Sequence, residues 1–278
     1  MVLRRRKAIR GAIVVNDDGI DSPGLVALAV AAQRAGLEVV VAAPIRQSSG
    51  AGAGIIATIQ GGRTRIERRQ LADLPDVEAY AIDAQPGYIV LAAVRGWLDP
   101  VPELVLSGVN HGANVGRAIL HSGTVGAALT AGVNGVHGLA VSLDVGLHPA
   151  AAPHWGTAAH LLPGILELLA EAPGGTVLTL NVPDRPIEEL HEARHATLAE
   201  FGTVQTRVDR VENGQLHLAE VEMDTPPAAG TDSALLAAGH PTLTALEAVR
   251  EASGPVLSAW LASAVQRIGA QTGSGPGI

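Results

Sequence analysis

Short apolar runs alternate with segments of helical period along most of this chain, and that alternation constrains its fold more than any other feature. The runs fall at Ala12 to Val15, Val39 to Ala43, Leu104 to Leu106, Leu139 to Leu143 and Val177 to Leu180. Each is short and almost uniformly apolar, the pattern of a strand buried on both faces. Between them, Pro23 to Ala35, Gly87 to Gly96, Thr124 to Val133 and Trp155 to Ala170 carry apolar residues at helical spacing. Such alternation predicts an α/β fold: a Rossmann-like parallel sheet, wound by right-handed crossovers, with helices on both faces. Residues 59–82 interrupt the pattern. From Leu198 to Glu222 the chain suits two strands turned at Glu212-Asn213-Gly214, an Asn-Gly hairpin signal. Helices are expected again over Leu243 to Glu251 and Val256 to Ile268. The chain therefore divides into a basic extension over residues 1–11, an α/β core over 12–197, a C-terminal region of hairpin and helices over 198–268, and a Gly-rich tail over 269–278 expected to be disordered.

Ligands of open α/β sheets bind just outside the carboxyl ends of the strands, so the residues that follow each apolar run are the ones to inspect. After Val15 comes Asn16-Asp17-Asp18-Gly19-Ile20-Asp21-Ser22-Pro23-Gly24. Neighbouring strand residues point to opposite faces, so Asp17 and Asp18 share a site only if the chain is already turning, which Gly19 permits. Two carboxylates that close repel each other, and a hard divalent cation relieves the repulsion. On these residues alone a second reading stands beside it: an Asp-rich loop in which one carboxylate caps a helix beginning near Ser22-Pro23.

Composition bounds the function. A chain of 278 residues with 47% hydrophobic content can bury a sizeable core. A net charge of −8 opposes binding to a nucleic-acid polymer and favours a small phosphorylated ligand held through a metal. The absence of cysteine removes disulfides, thiolate metal sites and Cys nucleophiles together. No apolar run approaches the ~20 residues of a membrane span, and no signal-type apolar stretch follows the basic start Arg4-Arg5-Arg6-Lys7. A cytoplasmic protein with no membrane partner is the expectation.

Four blocks in order carry a family resemblance. Asn16 to Leu25 resembles the opening motif of the survival-protein E (SurE) family of metal-dependent nucleotide phosphatases. Ala43-Pro44-Ile45-Arg46-Gln47-Ser48-Ser49-Gly50 is similar to that family's A-P-D-R-N-Q-S-G. Ser107-Gly108-Val109-Asn110-His111-Gly112-Ala113-Asn114-Val115-Gly116 resembles S-G-I-N-R-G-A-N-L-G, and Ser122 to Ala128 matches S-G-T-V-G-A-A throughout. The resemblance is dense over residues 12 to about 143, with fainter echoes at Asn181-Val182-Pro183, Thr231-Asp232 and Thr242-Leu243.

The resemblance implies a divalent-metal phosphatase acting on a phosphate monoester of a nucleotide or related metabolite. It assigns Asp17, Asp18, Ser49 and Asn110 as metal ligands. All four offer hard oxygen donors, which suit Mg²⁺, Mn²⁺ or Ca²⁺. Asp18 is expected to be the catalytic carboxylate, as base, orienter or nucleophile, and Asp17 chiefly a ligand. Ser122, Gly123 and Thr124 open a helix whose amino end favours an anion, so they are expected to hold the phosphate with Asn114 and Asn16. A homodimer or homotetramer built through the C-terminal region is implied too.

Departures from the family pattern bear on the substrate. His111 and His121 replace an Arg and a Tyr, and either imidazole has the chemistry to protonate a leaving alcohol. Asp83-Ala84-Gln85-Pro86 stands where the family has D-G-T-P, Ile45 replaces an Asp and Gln47 an Asn, and Ala51 to Ile56 departs from V-G-H-S-I-T. A remodelled pocket follows. Gly50-Ala51-Gly52-Ala53-Gly54 lacks the setting of a dinucleotide-binding turn. Two other classes stay open, an altered family member with another hydrolytic or transfer reaction and a non-catalytic binding protein.

Overall fold

A computed structural model of the chain describes residues 9–146, 152–200, 204–212, 215–222 and 226–250. The chain divides into two compact units, residues 1–248 and 249–278. The first carries the fold; of the second only Val249 and Arg250 are described. In chain order the elements are β1 (Gly11–Val15), α1 (Pro23–Arg34), β2 (Glu38–Pro44), β3 (Ile59–Gln60), β4 (Arg63–Thr64), β5 (Ile66–Leu71), β6 (Leu74–Ile82), α2 (Pro86–Ala92), β7 (Leu104–His111), α3 (Gly123–Val133), β8 (His137–Asp144), α4 (Trp155–His160), α5 (Leu162–Glu171), β9 (Val177–Pro183), β10 (Arg194–His195), β11 (Val204–Glu212), β12 (Gln215–Glu222), α6 (Asp232–Ala237) and β13 (Thr242–Leu246).

Nine strands form one sheet in the order β10-β13-β9-β8-β7-β1-β2-β6-β5. The six from β9 to β6 run parallel, and β5 and β13 flank them antiparallel. Along β1 the side chains alternate between two cores. Ala12 and Val14 join Leu25, Leu28, Leu104, Leu106 and Leu162 on one face, while Ile13 and Val15 join Ile89, Val105, Ala127 and Ala131 on the other. Helices α1 and α4 therefore cover one face and α2 and α3 the opposite one. The chain winds from β1 outward through β2 to β6, then returns to β7 on the other side of β1 and winds through β8 to β9. The reversal between β1 and β7 opens a crevice at their carboxyl ends, where such sheets bind ligands.

The five expected strands and the helices that separate them are present, with three corrections. Residues 59–82, read as an interruption, contain β6, a full parallel partner of β2. Its alternating burial, with Glu78 turned outward, hides it from a search for unbroken apolar runs. The helix expected over Trp155 to Ala170 is two helices, broken at Leu161 ahead of Pro163, whose ring suits a first helical turn and not an interior one.

The third correction concerns Leu243 to Glu251. Thr242 to Leu246 is not helical but strand β13, antiparallel to β9 and preceded by Pro241. Thr242 and Thr244 are buried and Ala245 exposed, so sheet pairing of β-branched residues overrides a helix-like spacing. The main sheet thus takes in residues well past the expected core boundary at 197. Strands β11 and β12 pair as the expected hairpin, with Glu212 opposite Gln215. The turn residues 213–214, the helix expected at 256–268, the tail and the first eight residues lie outside the described residues.

Glycines allow helices α2 and α3 to sit close to the loop after β2. A Cβ at Gly126 would stand 2.1 Å from the Gly52 carbonyl oxygen, and one at Gly87 would stand 2.8 Å from that of Gly54. The Gly50 to Gly54 run is thus a backbone packing surface against the two helices. No helix among the described residues is long and apolar enough to cross a membrane.

Candidate active site

Asp17 and Asp18 follow β1 at the crevice, and the turn that brings them together is built by Asn16 and Gly19. The Asn16 amide nitrogen donates to the Gly19 carbonyl, and the Gly19 N–H donates back to Asn16 Oδ1, both at 3.1 Å. Gly19 takes a φ of +101°, a conformation that side chains resist. Through this pair of bonds the fully buried Asn16 holds the loop.

Asp17 is 5% exposed, and its carboxylate meets the amino end of α3. The Thr124 hydroxyl donates to Asp17 Oδ1 at 2.5 Å. A Cβ on Gly123 would lie 2.8 Å from Asp17 Oδ2, so only glycine admits the carboxylate here. Burial pushes the Asp17 carboxyl above its ordinary value, and the Thr124 hydroxyl with the backbone amides of Gly123 and Thr124 pulls the other way. Ser122 caps the same helix, its hydroxyl accepting from Val125 N–H at 3.1 Å. The block Ser122-Gly123-Thr124 therefore lies at the site, with its amino end against the Asp17 carboxylate.

Asp18 faces β7. The His111 N–H donates to Asp18 Oδ2 at 3.3 Å. Burial raises this carboxyl too, with the negative charge of Asp17 adding to it and the His111 amide and imidazole opposing. Neither carboxylate forms an ion pair with a Lys or Arg among the described residues. The second reading, an Asp cap on α1, is excluded: the N-cap is Ser22, with no side-chain cap bond.

Asn110 reaches the pair through an irregularity in β7. The β7–β8 register shifts between Ser107 and Asn110, and a bulge of this kind re-aims the residue that follows. Asn110 Nδ2 donates to the Gly112 carbonyl at 2.8 Å, which turns Oδ1 inward to 3.3 Å from Thr124 Oγ1. Asp17 Oδ1 and Asn110 Oδ1 thus converge on one hydroxyl that has a single proton to give. Converging oxygen acceptors with too few donors between them are what a hard cation satisfies, so the residues present fit a divalent metal.

Ser49 sits at the rim. Its loop is tied to the centre by Ser48 N–H donating to the Asp17 carbonyl at 2.7 Å. The Ser49 hydroxyl itself accepts from Gln47 Nε2 at 3.0 Å and is exposed. Asn114 is engaged within the protein: its Nδ2 donates to Ser142 Oγ at 2.9 Å, and its backbone N–H and C=O bond the Asn181 amide at 2.8 and 2.9 Å. These bonds use one of its two amide protons and leave the second as a donor. His111 and His121 are both exposed, and the His111 ring lies 5.7 Å from that of Trp155.

Asp232, seen in the sequence only within the faint echo Thr231-Asp232, is a residue to which sequence reasoning assigned no role. It is 1% exposed, and its Oδ2 accepts from Gly116 N–H at 2.8 Å while Oδ1 accepts from Ala199 and Ser233 N–H at 2.9 and 2.8 Å. This fastens the segment between Asn114 and α3 from 116 residues away. The signal available was Thr231-Asp232 followed by an apolar helix, an ordinary N-cap pattern.

Fold and site together define a doubly wound α/β protein with an acidic, oxygen-donor centre at its switch point. The sequence model of the family described as Survival protein SurE matches residues 12–205, and the chain belongs to that family. It is 38% identical over 174 residues to a protein of Xanthomonas campestris pv. campestris named 5′-nucleotidase SurE, covering 62% of this chain and 63% of that relative. Against a 5′-nucleotidase SurE of Rubrobacter xylanophilus it is 39% identical over 189 residues, 66% of this chain and 69% of the other. The chain thus spans under two thirds of the Xanthomonas relative. The crystal structure of the SurE protein from Aquifex aeolicus superposes with a TM-score of 0.71 at 28% identity, over 85% of this chain and 93% of that one.

Proposed function

We propose that this chain is a divalent-metal-dependent phosphatase that hydrolyses a phosphate monoester of a nucleotide or related phosphorylated metabolite. The observation that carries the reading is the convergence of Asp17, Asp18 and Asn110 oxygens at the β1/β7 crevice, where neither carboxylate is paired with a Lys or Arg among the described residues. The names of the Xanthomonas and Rubrobacter relatives support it. Asp17, Asp18, Asn110 and, from the rim, Ser49 would hold the metal, with Mg²⁺, Mn²⁺ and Ca²⁺ all matching the donor set. When bound, such an ion polarises the phosphoryl oxygens and lowers the pKa of a water beside it.

The chain's own groups do the rest. Thr124 and Gly123 fix Asp17 as a ligand. Asp18, held on one oxygen by the His111 amide, keeps its other oxygen to orient or deprotonate the attacking water. Ser122, Gly123, Thr124, Asn114 and Asn16 are the residues expected to hold the phosphate beside the cation, with the second amide proton of Asn114 as a donor, while Thr124 and Gly123 also set the position of Asp17. His111 and His121, both exposed, are the candidates to protonate the leaving alcohol.

EDTA is expected to abolish release of phosphate from nucleoside and sugar monophosphates, and Mn²⁺ or Mg²⁺ to restore it. Full turnover by thoroughly demetallated protein would refute the metal requirement. We further propose a cytoplasmic homodimer or homotetramer in which the β11–β12 hairpin contributes to the contact, since an isolated two-stranded ribbon is marginal alone. Light scattering coupled to size exclusion should give at least twice the 28.3 kDa chain mass; a monomeric mass at micromolar concentration would refute it.

A further inference from the structure

A cavity of about 400 Å³ opens beside the metal loop, walled by Ile45 to Ser48 on one side and by Ile56 to Thr58 and Ile82 to Gln85 on the other. It gathers the departures from the family pattern at Ile45, Gln47, Ala84 and Gln85 into one place. A second cavity of about 400 Å³ adjoins it, sharing Thr58, Arg65 and Asp83 and ending at Arg63. Together they make a groove from Ser48, the neighbour of Ser49 in the chain, to Arg63.

The groove has unspent chemistry. Glu67 pairs with both Arg65 and Arg69, and Glu78 with Arg68, which uses those two carboxylates. Arg46 and Arg63 are left with exposed guanidiniums and no ion pair or side-chain hydrogen bond among the described residues, one in each cavity. At the shared waist stand the Asp83 carboxylate and the Thr58 hydroxyl, likewise without side-chain partners. Ser48 Oγ, against the metal loop, is buried with no hydrogen-bond partner. No aromatic ring lines either cavity, so a stacked base is not what the groove is shaped to read.

We infer that this groove is the leaving-group subsite and that it selects a phosphate monoester whose sugar carries a second phosphate. This rests on the phosphatase reading of the neighbouring centre. The waist of Asp83 and Thr58 takes sugar hydroxyls, a carboxylate accepting from them and a hydroxyl doing either. Two free guanidiniums, Arg46 on the metal loop and Arg63 at the far end of the groove, supply bidentate donors for a second phosphate. In a chain of net charge −8, two unpaired arginines against the single unpaired Asp83 carboxylate give the groove a local positive excess that favours a dianion over a neutral alcohol.

The test compares adenosine 5′-monophosphate with adenosine 3′,5′-bisphosphate, followed by phosphate release with Mn²⁺ or Mg²⁺. The bisphosphate should be at least tenfold better in kcat/KM at low salt, with the advantage shrinking as ionic strength rises. Arg46→Gln and Arg63→Gln should each lower the bisphosphate-to-monophosphate ratio at least threefold, and Arg63→Lys should restore part of it. A ratio near one in the wild type, or one unmoved by both Gln variants, overturns the subsite. If neither compound is hydrolysed, the phosphatase reading fails. The subsite is then judged by calorimetric titration of both compounds: tighter binding of the bisphosphate that is lost in Arg46→Gln/Arg63→Gln upholds it, and equal binding overturns it.

Discussion

Asp18→Asn is expected to lower kcat for phosphate release on the order of 10²–10³-fold, the range typical of a preorganised electrostatic group, while leaving the protein folded. The same substitution should stabilise the chelated protein. In the absence of a cation the Asp18 carboxylate is desolvated and repelled by Asp17, so neutralising it relieves an unfavourable term instead of removing a favourable one. Opposite signs on activity and stability are the mark of a group kept for chemistry. Steady-state kinetics with Mn²⁺ and thermal melts in EDTA together check this. Unchanged kcat would remove Asp18 from the mechanism, and a fall in Tm in EDTA would make its role structural.

Asp232→Ala should be the most damaging substitution outside the centre, costing about 3 kcal/mol or more. Three backbone N–H groups lose their acceptor in a buried setting, each worth about 1–3 kcal/mol. Asp232→Asn separates stability from function. Its oxygen can still accept from Ala199 and Ser233, but its amide group would face the Gly116 N–H donor to donor. That variant should keep most of its stability, lose hydrogen-exchange protection at Gly116, and lose activity through a displaced 116–122 segment. Denaturant titration and amide exchange measure both. An unshifted midpoint for the Ala variant would mean that water or a neighbour takes over the carboxylate's bonds.

How much of this was legible in the sequence follows from which forces act locally. The central strands are buried on both faces, so their apolar runs announce them without any knowledge of their partners. β6 and β13 are half-wet strands at or near the sheet margins, and only pairing with β2 and β9 decides them. The same division holds in the site. Asp17, Asp18 and Asn110 are legible as oxygen donors in the right blocks. The internal bonds of Asn16 and Asn114 are not, because no residue type reveals where its hydrogens are spent. At the α3 amino end the sequence points to an anion, and the partner it does not reveal is the Asp17 carboxylate, 107 residues upstream.

The long-range ties around the centre also set a timetable. Asp17 waits for Thr124, 107 residues later; Asn114 waits for Asn181, 67 later; Gly116 waits for Asp232, 116 later. At a synthesis rate of roughly 5–20 residues per second, a growing chain carries its paired aspartates for many seconds before the hydroxyl that orients one of them exists. A chain truncated before Thr124 therefore has its paired aspartates without the hydroxyl that orients one of them, and one truncated before Asp232 lacks the carboxylate that fastens the segment leading into α3.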